Sequence, residues 1–216
     1  MRFWIDIANS PHAPFFAPVS ELLEERGHEV VVTAWDRAQT LDLAGSVWPD
    51  LIKVGSGASS SVLGKGRRLV DRIRALRAAV KGRSVDVALS HGSYAQIVAA
   101  RSLRKRVITM MDYEHQPANH LSFRLAHVVM VPESFPEDAV RRFGGRGKTV
   151  RYRGYKENVS LARFVPGPGL RDTLEIGPDR ILALARTPPE GALYHRGSND
   201  LFERAIDHLT SADVLV

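Results

Sequence analysis

The residues best suited to chemistry fall in short clusters, each just after an apolar run. "RFWIDIANSPHAPFF" holds Asp6, then Asn9, Ser10 and His12. "VDVALSHGSY" ends on Ser90, His91, Gly92 and Ser93. "KRVITMMDYEHQPANH" carries Asp112, Glu114, His115 and Asn119, and Glu133 and Ser134 follow a further run. Imidazoles and carboxylates are groups that hold or move a proton, and hydroxyls and amides read a polar ligand. Gly92, just before a helical pattern, lets backbone amides approach an anion. Each cluster also has a plainer use. Asp6 can accept hydrogen bonds from the amides of the turn that follows it. His12 can be an ordinary first residue of a helix between Pro11 and Pro14, and "SHGS" can be a turn and a cap.

The elements between these clusters decide whether they meet. Apolar, β-rich runs occupy 2–8, 28–34, 51–55, 85–90, 105–111 and 127–132. Helical patterns occupy 14–26, 66–81, 94–103 and 117–126. Near-continuous apolar strands alternating with helices predict a parallel sheet covered on both faces. Residues 1–155 therefore read as a doubly wound, Rossmann-like α/β domain. In such a sheet ligands bind beyond the carboxyl ends of the strands. The turns after strands one, four and five then converge on one crevice.

Beyond Gly154 the pattern loosens. "FVPGPGL" places two prolines and two glycines in seven residues, which suits a linker over 156–179. "RILALAR" (180–186) predicts a new strand, "SNDLFERAIDHL" (198–209) a helix capped by Ser198 or Asn199, and "ADVLV" a further strand. Two strands and a helix cannot cover their own sheet, so 180–216 reads as the opening βαβ piece of a second, truncated α/β domain.

Composition narrows the classes. At 216 residues with 44% hydrophobic and 25% charged, the chain has enough apolar material for a core. It has no cysteine, which removes disulfides, thiol nucleophiles and thiolate metal sites. No metal pattern stands out, since His115 and His120 are five apart and H-E-x-x-H is absent. There is no P-loop, no G-x-G-x-x-G after the first strand and no G-x-S-x-G elbow. With no signal peptide and no run of about 18–20 apolar residues, the sequence reads as cytoplasmic, with contact at the inner membrane face as an option. The net charge of +6 is concentrated in Lys65, Arg67, Arg68, Arg72, Arg74, Arg77, Lys81 and Arg83, with Asp71 alone against them. On a helix whose apolar face is Val62, Leu69, Val70, Ile73, Leu76 and Val80, they form a basic face over 62–83. That face fits solvent, an anionic membrane or a polyanionic acceptor. Nucleic acid is disfavoured for want of interleaved aromatics.

The segment "NSPHAPFFAPVSELLEERGHEVVVTA" resembles the first βα unit of GT-B glycosyltransferases, especially the peptidoglycan N-acetylglucosaminyltransferases that act on a lipid-linked acceptor. Glu114, followed ten residues later by "RLA" (124–126), falls in register with a Glu-Gln-Asn segment of those enzymes. Over its whole length the chain resembles a prokaryotic domain-of-unknown-function family with GT-B-like architecture. That likeness rests on Trp4-Ile5-Asp6, Asn9, Pro11-His12, Phe15-Phe16 and Pro18, on "DYEHQ", and on Tyr155-Lys156-Glu157, Val159, Leu161, Phe164 and Pro166. The resemblance carries His12 onto the family's turn histidine and Glu114 onto the strand-five glutamate. Two departures stand out. Asn9-Ser10-Pro11 replaces a glycine-rich turn, and "RTPPEGALYHRG" (186–197) replaces a Gly-Gly donor loop. Arg186, His195 and Arg196 can then hold a diphosphate with side chains.

The resemblance implies a glycosyltransferase that moves a sugar from a nucleotide-sugar to an acceptor, without cofactor or metal. His12 and Glu114, which the resemblance carries over, would be catalytic, together with Asp112, whose candidacy comes from its place after the fifth strand. Asn9, Ser10, Ser90, His91, Gly92, Ser93, His115 and Asn119 do not carry over from the transferase motif, but their place at the strand ends would make them substrate-binding. A nucleotide-sugar 2-epimerase-like enzyme and a non-catalytic binding protein on the same fold are the alternatives. A chain holding so little of the donor domain is expected to be inactive alone.

Overall fold

The computed structural model describes residues 1–37, 39–56, 62–167, 169–187 and 200–211. Met1–Arg163 and Phe164–Val216 form two separate compact units.

The first unit is one parallel sheet of seven strands. They are β1 (Arg2–Ile7), β2 (Glu29–Asp36), β3 (Ile52–Ser56), β4 (Val87–His91), β5 (Arg106–Met110), β6 (Val128–Pro132) and β7 (Thr149–Tyr152), in the order β3-β2-β1-β4-β5-β6-β7. The order reverses between β1 and β4, so the crossover connections diverge there and leave a crevice at the carboxyl edge. Among the described residues the connecting helices are α1 (His12–Glu25), α2 (Thr40–Val47), α3 (Val62–Val80), α4 (Tyr94–Ser102), α5 (Asn119–Leu125) and α6 (Glu137–Phe143), and α7 (Lys156–Leu161) follows the last strand. The expected doubly wound, Rossmann-like parallel fold is the one observed.

Alternation along β1 divides the core into two layers. Trp4 packs with Leu76, Val80, Ala95 and Ile97 on one face of the sheet. Ile5 and Ile7 pack with Ala13, Phe15 and Phe16 on the other. Asp6 therefore belongs to the Trp4 face, where it has no exposed surface.

The structure adds elements that the apolar pattern does not reveal. β7 is "TVRY", a four-residue edge strand flanked by Lys148 and Arg153. α2 contains Gly45 and Ser46, poor helix formers. α6 is only seven residues, closed by Gly144 in the left-handed conformation at φ +83°. α7 packs against α1, and Arg163 reaches Glu21 at 3.1 Å and Glu25 at 2.8 Å, so the first unit continues past residue 155.

The described part of the second unit holds the short helix α8 (Leu170–Thr173) and α9 (Leu201–Ser211). The strand expected over 180–186 is not formed in the described residues: the backbone there is irregular, with a single bridge at Leu182. Ser198, Asn199 and residues 212–216 lie outside the described residues.

The surplus of positive charge has a partly structural use. Helix C-termini leave carbonyls without partners at the negative end of the macrodipole. Lys148 Nζ donates to the carbonyls of Arg124 and Ala126 at the end of α5. Arg124 donates to those of Arg142 and Phe143 at the end of α6, and Arg83 to that of Ala79 in the last turn of α3. Among the described residues no helix is long and apolar enough to cross a membrane.

Candidate active site

His12 is the first residue of α1 and His91 the last of β4, so the strand-order reversal sets them face to face. Their ring centroids are 5.0 Å apart, and Phe15 packs edge-on against His91 at 5.9 Å. Both histidines are 7% exposed. His91 Nε2 lies 3.4 Å from Asp112 Oδ1, outside hydrogen-bonding geometry. Asp112 Oδ2 accepts from Lys156 Nζ at 2.5 Å. Tyr152, on the edge strand, lies close enough to Asp112 for the carboxylate to act on its phenol. His12 Nδ1, His91 Nε2 and the Tyr152 hydroxyl are buried without a hydrogen-bond partner among the described residues.

The electrostatics follow from that crowding. The His12 pKa is lowered from 6.5 to about 3, first by burial, then by the His91 and Lys156 charges, with Asp112 opposing. His12 is therefore neutral in the empty crevice at neutral pH. Burial works to raise the Asp112 pKa, but the His91 and Lys156 interactions overcome it and hold the carboxyl well below its ordinary range. Tyr152 is pushed up to about 12 by burial and then by the Asp112 and Glu157 carboxylates, so it stays a phenol.

Beneath the crevice, on the opposite face of the sheet, lies a second polar group. Asp6 accepts from Thr33 Oγ1 at 2.6 Å, from Ser93 Oγ at 2.5 Å, and through both oxygens from the Arg72 guanidinium at 2.9 and 2.8 Å. Thr33 in turn accepts from Trp4 Nε1, and Arg72 donates to the carbonyl of Val54. Arg72 also lies over the Trp35 ring at 4.7 Å. Asp6 thus takes side-chain donors where turn amides were expected, and Arg72 leaves the supposed basic face to become its buried partner. Leu69 and Val70 correct that helix further, since they are exposed while Arg72, Leu76 and Val80 make the buried face.

The sequence candidates separate on this frame. His12, His91 and Asp112 come together. Ser93 is 2% exposed, bonds Asp6, and caps α4 by accepting from the Gln96 amide. Ser90 and Asn119 are fully buried, with Asn119 Nδ2 donating to the Tyr113 carbonyl. Gly92 has φ +62°, and a Cβ there would meet Met111 Cε at 2.7 Å. Asn9 is exposed, and Ser10 shares a hydrogen bond with Thr40 at 3.2 Å. Glu114 pairs with the exposed His115 at 3.4 Å. Arg186 is exposed in the second unit. His195 and Arg196 lie outside the described residues. Lys156 and Tyr152 escaped the spacing argument, although Lys156 stands inside the "YKE" motif. Among the described residues no His, Asp and Glu cluster has metal-binding geometry.

Residues 1–172 match the family described as "Protein of unknown function (DUF354)". The chain belongs to the DUF354 family. An uncharacterized protein of Methanocaldococcus jannaschii is 25% identical to this DUF354 chain over 215 residues, which are 95% of the chain and 61% of that protein. Among solved structures, MurG of Acinetobacter baumannii is similar with a TM-score of 0.50 and 17% identity, over 62% of this chain and 42% of that one. The UDP-GlcNAc 2-epimerase of Neisseria meningitidis, bound to UDP-GlcNAc, is similar with a TM-score of 0.54 and 16% identity, over 70% and 46%. The DUF354 chain has the GT-B-like fold of these enzymes, and it spans only about two-fifths to three-fifths of the length of these proteins.

Proposed function

We propose that this DUF354 protein is a GT-B-type glycosyltransferase that moves a sugar from a nucleotide-sugar to an acceptor hydroxyl. The observation that carries the reading is the convergence of His12, His91, Asp112 and Lys156 at the strand-order reversal. A nucleotide-sugar as partner is supported by the UDP-GlcNAc bound to the epimerase of the same fold.

In this reading the acceptor lies over the first unit. Its hydroxyl oxygen attacks the anomeric carbon of the donor. The bond from that carbon to the diphosphate breaks, and the diphosphate leaves with the electron pair. The hydroxyl proton passes to the free lone pair of the neutral His12. Asp112 orients the hydroxyl, and Lys156 holds Asp112. His12 is a weak base in the empty crevice, since its pKa is about 3. The negative diphosphate of a donor held outside the crevice would offset the smaller His91 and Lys156 part of that depression while the burial part remains, and a base becomes more efficient as its pKa nears the working pH. Arg186 belongs to the donor side in this scheme. The exposed ridge of Arg67, Arg74 and Arg77 on α3, with Lys81 just beyond its end, would meet an anionic part of the acceptor or its membrane.

The test incubates this chain and the full-length archaeal relative with a panel of nucleotide-sugars and candidate acceptors. It follows both nucleotide release and sugar isomerisation. Acceptor-dependent release by the longer protein, lost in the variant equivalent to His12→Gln, is the expected result. Isomerisation without an acceptor would replace transfer with 2-epimerase-like chemistry. No release, no isomerisation and no nucleotide binding by calorimetry would leave a binding protein.

A further inference from the structure

The crevice holds hydrogen-bonding capacity that the protein does not use. His12 Nδ1, His91 Nε2 and the Tyr152 hydroxyl are buried without a hydrogen bond among the described residues, with Asp112 Oδ1 standing 3.4 Å from His91 Nε2. A neutral imidazole offers one N–H and one lone pair, and a phenol both donates and accepts. Asp112 is ionised and only accepts. The ammonium of Lys156 is committed to Asp112 at 2.5 Å, and Glu157 stands 3.7 Å from it. The carboxylates of this corner are Asp112 and Glu157, and its one lysine is already paired with the first of them.

That inventory discriminates between ligands. A phosphoryl group at neutral pH is anionic and rich in acceptors. It would bring negative charge against Asp112 and Glu157 and would compete for an already paired lysine. A hydroxyl donates to Asp112 while accepting from an imidazole N–H or from Tyr152. Neighbouring hydroxyls on one ring can satisfy several of the unused groups together, and buried polar groups gain most when all are satisfied.

We propose that the crevice between His12, His91, Asp112 and Tyr152 binds the hydroxyl-bearing ring of an uncharged sugar and turns away a phosphoryl group. This rests on the transferase reading above and narrows it: the acceptor presents a neutral pyranose at the reacting position, and any phosphate it carries lies elsewhere.

The experiment uses this chain with labelled histidines. The imidazole signals of His12 and His91 are followed by NMR during titration with methyl glycosides of neutral hexoses and N-acetylhexosamines. Inorganic phosphate and a hexose 1-phosphate are titrated in parallel at matched ionic strength. The exposed His115 reports non-specific effects. At least one neutral glycoside should shift His12 and His91 saturably. Asp112→Asn should weaken that binding by about tenfold or more, the worth of a hydrogen bond to a charged group. Tyr152→Phe, which removes a single hydroxyl, should also weaken it. Saturation of the same signals by phosphate, with a rise in the His12 pKa, would overturn the proposal. So would a panel in which no neutral glycoside moves them. The outcome is separable from the turnover test: glycoside binding in a protein that turns over no nucleotide-sugar would sink the transferase and leave this site standing.

Discussion

Acid should destabilise the first unit through His12 well before its carboxylates titrate. The unfolded chain has an ordinary histidine with a pKa of 6.5, whereas the folded His12 has one of about 3. Between those values the unfolded state binds a proton that the folded state refuses, so stability falls as pH falls. One pKa unit corresponds to about 1.4 kcal/mol. Going from about pH 7.5 to about pH 4.5 should thus cost roughly 2.7 kcal/mol from this one residue, with a limit of about 5 kcal/mol below pH 3. For a domain of this size that is a drop of roughly 5–11 °C in Tm. The assay is urea unfolding at a series of pH values, for the natural chain and for His12→Gln, which stays polar but does not titrate. Subtracting the two curves removes other groups, including the exposed His127, whose pKa is also lowered, mainly by burial. The difference should slope by about 1.4 kcal/mol per pH unit below pH 6.5. Parallel curves, or a His12 NMR titration centred near its ordinary value, would refute the electrostatic account of the crevice.

Arg72→Met should destabilise the chain by about 3–5 kcal/mol, because it leaves Asp6 buried without its cation; the double variant with Asp6→Leu should cost less than the sum, and an additive result in a double-mutant cycle would argue against coupling. Ser93→Ala removes both the cap of α4 and a donor to Asp6, and should cost about 1–2 kcal/mol in urea unfolding. Lys156→Met should raise the Asp112 pKa toward 3.8, its ordinary value, as read by carboxyl NMR. The depressed pKa of Asp112 contributes stability that is present above that value and lost as pH falls, so this variant should show a shallower acid limb.

The sheet was legible because each buried parallel strand is a nearly unbroken apolar run, with β2 and β6 as clear cases. The crevice was legible because one rule about strand ends turns three distant segments into neighbours. What stayed hidden depends on contacts that spacing does not encode. Arg72 sits in a run of arginines, and nothing local distinguishes the one that turns inward to meet a carboxylate 66 residues away. Lys156 meets Asp112 across 44 residues. Tyr152 belongs to a strand too short and too charged at its flanks to be recognised. Ser93 has the type and place of a ligand-binding residue, yet its hydroxyl is turned to Asp6.

The carboxylate of Asp6 also acts as an alignment key for the sheet. Strands such as "VVVTA" and "VVMVP" are so uniformly apolar that sliding one by a residue changes their burial little, and pattern alone defines their alignment weakly. In β1 such a slide would turn Asp6 onto the opposite face, among Phe15, Phe16 and Ala34, with no donor to meet it. Thr33, Arg72 and Ser93 accept it in a single alignment. One ionic contact thus rejects the misaligned packings that an all-apolar β1 would tolerate, and it fixes the histidine-bearing turns at the height where they face each other.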